Sequence, residues 1–297
     1  MGSSSSRSLF TLYRNSQVEA RLSTVSAESL ICPLCWEEVH VENLSVEHVI
    51  PTSVGGVSTV LTCERCNNSH GSQLDSQLAQ YQRMKDAFAG HRKFPGEIFF
   101  DGRRLAVQVD WGQGFKNFKV VGRATNPADQ EMIKAAFTSG AVREAKFEFS
   151  YGYRLNEFRV AILRSAYLVL YKWLGYPYVA SEMAQILRRR IANPSLVTPR
   201  LETMQLELRS TNLPQTISHF VFPGAVTPGQ DETNQAPFYL VILRISQKTT
   251  TWLGVFMPQA TATPDTFFEL IEKLRHEYDG KVLSLPTQGL LFDAREI

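Results

Sequence analysis

Residues 31–71 read ICPLCWEEVHVENLSVEHVIPTSVGGVSTVLTCERCNNSHG, and this stretch decides the head of the fold. It holds all four cysteines of the chain, as Cys32-Pro33-Leu34-Cys35 and Cys63-Glu64-Arg65-Cys66. Each Cys-x2-Cys knuckle sets two thiolates close enough to share one tetrahedral ion, and four such ligands favour structural zinc. A redox dithiol needs only one pair, so two pairs in so short a segment argue against it. No cysteine remains for a disulfide, which fits a reducing compartment and a cytoplasmic protein. Four protein ligands close the shell, so the expected role of this Zn²⁺ is to fold a segment too small to bury much core.

Between the knuckles, Val46-Glu47-His48-Val49-Ile50-Pro51 is strand-like and ended by proline. Val54-Gly55-Gly56-Val57 reads as a turn whose glycines serve backbone shape, and Val60-Leu61-Thr62 returns to the second knuckle. Asn67-Asn68-Ser69-His70-Gly71 then leads into a helix. The order is strand, loop, strand, helix, with the ion tying the ends. His48 and Asn67 are expected to face one another across a small groove.

Outward from this segment, Leu74, Leu78, Tyr81 and Phe88 fall near one helical face, and Gly90 is a stop. His91 to Gly96 reads as a linker. Short strands are expected at 98–100, 105–109, 118–121 and 146–150, with Asp101-Gly102 as a hairpin turn. A largely apolar helix is expected over 156–174, ended by Gly175-Tyr176-Pro177, and a second over 181–191. Strands at 201–208, 217–222, 238–245 and 251–256, a helix at 266–278 and a strand at 281–285 complete the pattern. The expected fold class is α+β: a small N-terminal zinc-braced head over residues 1–93 (core 30–90) and a larger mixed α+β body over 97–297. Met1 to Ser6 reads as a leader or disordered arm. Val160 to Leu174 is too short and, with Arg164 and Lys172, too charged to span a bilayer, so no membrane association is expected.

The net charge of +2 carries no message about partners, but its distribution does. Residues 94–192 hold 15 Lys/Arg against 9 Asp/Glu, while 1–93 hold 8 against 9 and 193–297 hold 8 against 11. Arg188, Arg189 and Arg190 form the densest run. It reads either as a cationic helix end or as a patch contacting nucleic-acid phosphates.

EHVIPTSVGG followed by CERCNNSHG resembles the HNH endonuclease family in its zinc-braced ββα-metal form, over about residues 30–80. The resemblance implies hydrolysis of DNA phosphodiester bonds, by cutting or nicking, with RNA also a possible substrate. It places His48 as general base, Asn67 as ligand of a catalytic Mg²⁺ or Mn²⁺, and Glu47 as another ligand or an orienting residue. His70 stands where Lys or Arg is common, either to contact phosphate or as the last histidine of the motif. Asn67 also has a purely structural reading as a helix cap. His40 is a remote substitute zinc ligand, and Trp36 a packing cover for the knuckle rather than a base-stacking residue. One departure is plain: Ser58 and Thr59 occupy the stretch where the family keeps its middle Asn. The body is expected to restrain the head or recruit it, in a bacterial anti-phage setting with other defence-system proteins as partners. The competing class is a catalytically inactive zinc module that binds nucleic acid or a partner protein.

Overall fold

The structure, a computed structural model, describes residues 4–24, 26–100, 103–112, 119–122, 127–140, 146–148, 152–196, 205–208, 213–226 and 236–278. They fall into two compact units that do not follow the expected division at residues 93–97. The first holds the described residues of 1–78, 154–245 and from 250 onward; the second holds 79–153 and 246–249. The cysteine-rich segment is therefore no separate head. It shares a unit with more than half of the expected body, because a largely apolar helix from that body needs a surface on which to bury itself.

In the first unit, α1 (Ser4–Glu19) begins inside the presumed leader. β1 (Ser29–Ile31) and β2 (Glu38–His40) form an antiparallel ribbon, with Leu30 opposite Val39. A second ribbon pairs β3 (Leu44–His48) with β4 (Thr59–Cys63), setting Glu47 opposite Val60 and His48 opposite Thr59. α2 (Glu64–His70) follows at once, then a π-helical stretch Gly71–Asp75, then α3 (Ser76–Phe88), whose residues from 79 on belong to the second unit.

The central helix of this unit is α5 (Leu155–Val179), in which Tyr167, Leu168, Val169, Leu170 and Tyr171 are wholly buried. Tyr171 stacks on Tyr13 of α1 with ring centroids 4.4 Å apart. The expected break at Gly175 is present as a left-handed residue, φ 65°, after which helix resumes to Val179. A Cβ at Gly175 would lie 1.9 Å from Ser16 Oγ, so α1 and α5 approach there as only glycine permits. Ser16 Oγ also accepts the Tyr176 N–H at 2.9 Å. α6 (Glu182–Ala192) starts at Ser181, whose hydroxyl accepts the Ala184 N–H. A four-stranded sheet runs in the order β10 (His219–Val226), β11 (Ala236–Ser246), β12 (Thr250–Pro258), β9 (Gln205–Leu208), and α7 (Pro264–Tyr278) follows β12.

The second unit has its own sheet, ordered β7 (Lys119–Gly122), β6 (Arg103–Asp110), β5 (Phe94–Phe100), β8 (Lys146–Glu148). Helix α4 (Pro127–Thr138) was not anticipated, although proline at its first position and apolar residues at 132, 133, 136 and 137 carry a helical signal. Buried Asp86 accepts from Thr249 N at 2.8 Å and Gln82 Nε2 at 3.0 Å, binding the 246–249 turn. The hairpin turn at Asp101-Gly102, Phe118 and the strand expected at 281–285 lie outside the described residues. No described helix is long and apolar enough to cross a membrane.

Candidate active site and metal centre

The four cysteine sulfurs lie within 4.8 Å of one another, with Cys35 and Cys63 Sγ 3.8 Å apart. A tetrahedral ion with bonds of about 2.3 Å requires sulfurs about 3.8 Å apart, so the donor set fits zinc. The backbone prepares the thiolates. Cys63 N–H donates to Cys32 Sγ at 3.4 Å, and Cys66 N–H to Cys63 Sγ at 3.3 Å, which caps α2. The first knuckle closes with Trp36 N–H donating to Cys32 O at 2.9 Å, and Trp36 takes a left-handed φ of 64°. From α5, Tyr167 Oη donates to Pro33 O at 2.9 Å and Tyr176 Oη donates to Ile31 O, so the knuckle rests on the central helix. His40 is no ligand; it pairs with Glu28 at 3.3 Å.

His48 ends β3, half-buried, and no hydrogen bond joins its ring to any described residue. The loop beyond it turns on the two glycines. Gly55 has φ 86°, and a Cβ at Gly56 would sit 1.7 Å from Ile50 O. These are demands of backbone shape, as the sequence suggested. Ser58, in the place of the missing Asn, accepts a hydrogen bond from Lys172 Nζ of α5 rather than holding His48.

Asn67 lies in α2 and is not its cap. Its Nδ2 donates to Ser45 Oγ at 2.9 Å and Val46 O at 3.2 Å, stitching the helix to β3. The expected meeting with His48 is not among its hydrogen bonds.

Glu47 faces inward and is 2 % exposed. Its Oε1 lies 2.8 Å from Nη2 of Arg164, a residue of α5 that is itself 1 % exposed. The same guanidinium reaches Asp75 Oδ1 from Nη1 at 3.1 Å. Sequence reading assigned Arg164 and Asp75 no role. Arg164 was visible only as a charge inside an apolar helix, which is the one signal that could have marked it. Burial raises the Glu47 carboxyl to about 7 despite the opposing pull of Arg164, and Asp75 to about 6 for the same reason. His70 is pushed down to about 4, by burial first and the Arg164 charge second, and its Nδ1 is buried without a partner among the described residues. At neutral pH His70 is therefore an uncharged imidazole, not a phosphate-pairing cation.

Of the donors expected to hold a catalytic Mg²⁺ or Mn²⁺, Glu47 does not fit a divalent ion as it stands, because its Oε1 is engaged by a guanidinium. The Asn67 amide is bound to β3 through Nδ2, which leaves its oxygen, the atom that ligates a metal, outside those bonds. Among the described residues, the four cysteines are the one group of three or more His, Cys, Asp or Glu whose ligand atoms converge.

The arginine run also departs from expectation. Arg188 is buried, with its guanidinium 3.9 Å from the Trp36 ring centroid and Nη1 bonded to Tyr167 Oη and Val179 O. Arg190 is buried too, donating to Asn193 O and Pro194 O at 3.0 Å. These two cations hold the fold from different sides of α6, and Arg189 alone of the three is exposed to solvent. Trp36 is a packing residue, gripped by Arg188.

Residues 32–82 match a family model described as HNH endonuclease, so this segment is of the HNH type, and the match supports a nuclease-type function. No curated protein and no solved structure matches the chain.

Proposed function

We propose that this chain hydrolyses phosphodiester bonds of DNA through its HNH-type segment, with His48 as the general base. One observation carries the reading. The match at residues 32–82 coincides with a zinc-fitted β3–β4–α2 frame that leaves the His48 imidazole half-exposed and unbonded among the described residues. An imidazole nitrogen accepts a proton from water as the oxygen attacks phosphorus, and the P–O bond to the leaving oxygen breaks. The zinc centre and α5 fix the backbone on which His48 sits. They supply position rather than chemistry. Of the arginine run, Arg189 is the side chain left for phosphate contact.

A second reading, a nuclease-dead zinc module, is favoured by one specific observation: the carboxylate beside His48 is already committed to Arg164. The two readings part on a supercoiled-plasmid assay with Mg²⁺ or Mn²⁺, wild type beside His48→Ala, with a labelled RNA in parallel. Loss of about 10²- to 10⁴-fold in rate with unchanged folding is expected for the variant. Equal cutting by both proteins would assign the activity elsewhere, and no cutting of either nucleic acid would favour the binding module. RNA cut in place of DNA would move the substrate and leave the base in place.

A further inference from the structure

We infer that Arg164 is an internal counter-cation that closes the Glu47 site to divalent metal, so that a metal reaches Glu47 only when the guanidinium is removed. For its consequence on cutting, this inference rests on the nuclease reading above. Its consequence on metal binding does not.

The geometry has three parts. Two carboxylates from separate elements, Glu47 of β3 and Asp75 at the end of the π-helical stretch, approach two different nitrogens of one guanidinium. The cation is planted in α5, a helix tied to the knuckle through Tyr167 and Tyr176 and to the β3–β4 loop through Lys172 and Ser58. Arg164 is thus supplied by the helix that also positions the zinc site, and three hydrogen bonds hold that helix against the segment carrying Glu47. Finally, the cluster is incompletely satisfied. Glu47 Oε2 and Arg164 Nε are buried and lack hydrogen-bond partners among the described residues, and Arg164 Nη2 meets Glu47 as an ion pair without hydrogen-bond geometry.

One positive charge against two carboxylates leaves a deficit when both are ionised, and each unbonded oxygen or nitrogen is costly in a buried site. A divalent cation would balance two carboxylates where a guanidinium balances one. It is also attracted by oxygen donors of the kind Glu47 and Asp75 provide. While Arg164 is present, an entering ion meets its positive charge at close range, and at such distances like charges repel strongly. Removing the guanidinium leaves the Glu47 and Asp75 carboxylates facing the vacated volume, hard oxygen donors of the kind Mn²⁺ takes.

The test titrates MnCl₂ into the zinc-loaded full chain and reads bound Mn²⁺ by electron paramagnetic resonance. It compares wild type, Arg164→Met and the double variant Arg164→Met/Glu47→Gln. Zinc content and circular dichroism verify folding. If Arg164→Met does not fold, Arg164→Gln, which keeps a neutral donor beside Glu47, takes its place. The expected result is no Mn²⁺ held at Glu47 in wild type, one additional ion in the single variant, and its loss in the double variant. Wild-type binding of an ion that Glu47→Gln abolishes would overturn the inference, as would a folded Arg164 variant that binds none. Plasmid cutting separates the two claims. Mn²⁺ bound by the Arg164 variant, with no His48-dependent cutting in any protein, upholds the counter-cation and defeats the nuclease. Wild-type binding and cutting that ignore Arg164 do the reverse.

Discussion

Raising the pH from 4.5 to 8 is expected to weaken the first unit through Glu47, and the magnitude follows from where that carboxyl sits. Its side chain is 3 % exposed, and burial lifts it from an ordinary 4.5 to about 7. Because the folded state binds the proton more tightly than the unfolded chain, this contribution is fully present below pH 4.5. It is lost as pH rises through 7. A shift of that size corresponds to about 3 kcal/mol. Asp75, raised to about 6, acts with the same sign, though its 22 % exposed side chain is more screened. The assay is urea unfolding at pH 4.5, 6, 7 and 8, followed by tryptophan fluorescence, for wild type and Glu47→Gln. The variant retains shape and cannot ionise. Zinc-thiolate bonding strengthens with pH in both proteins and cancels in the difference. With a urea dependence of about 2 kcal/mol per molar, the midpoint difference should move by about 1.5 M across this range, against wild type at high pH. A difference that stayed flat, or moved in favour of wild type, would refute the assignment of Glu47 as a carboxyl whose burial outweighs its pairing with Arg164.

Further expectations are local. Cys63→Ser should lower the zinc content from one ion per chain to none by elemental analysis, with loss of the β3–β4–α2 frame in hydrogen exchange. Tyr167→Phe removes the donor to Pro33 O and the acceptor for Arg188, so stability should fall by about 1–2 kcal/mol, and a chromogenic chelator should strip zinc faster. Gly55→Ala should cost about 1 kcal/mol for its left-handed backbone, whereas Gly56→Ala should cost more in thermal unfolding, since its Cβ meets the backbone of Ile50. Arg188→Ala should lower the melting temperature, while Arg189→Ala should leave stability within about 0.5 kcal/mol and weaken DNA binding with a shallower salt dependence.

The amino-acid sequence by itself determined the parts of this protein whose cause is local. Two Cys-x2-Cys spacings bring four sulfurs close enough to share one ion, alternation and proline end β3 at His48, and glycines at 55 and 56 admit a turn closed to other residues. Tertiary structure alone decided which charges are paired. Asp75 and Arg164 stand 89 positions apart, and a helix with apolar residues on every side does not announce which face will meet β3. The same holds for Arg188 and Arg190, which spacing presents as a basic run and packing turns inward onto Trp36 and the chain beyond α6. Asn67 faces β3 because α2 docks there, a long-range contact that no motif encodes. Local geometry is written in the order of neighbouring residues. The partner of a buried charge depends on which distant surface covers it, and that is settled only when the whole unit closes.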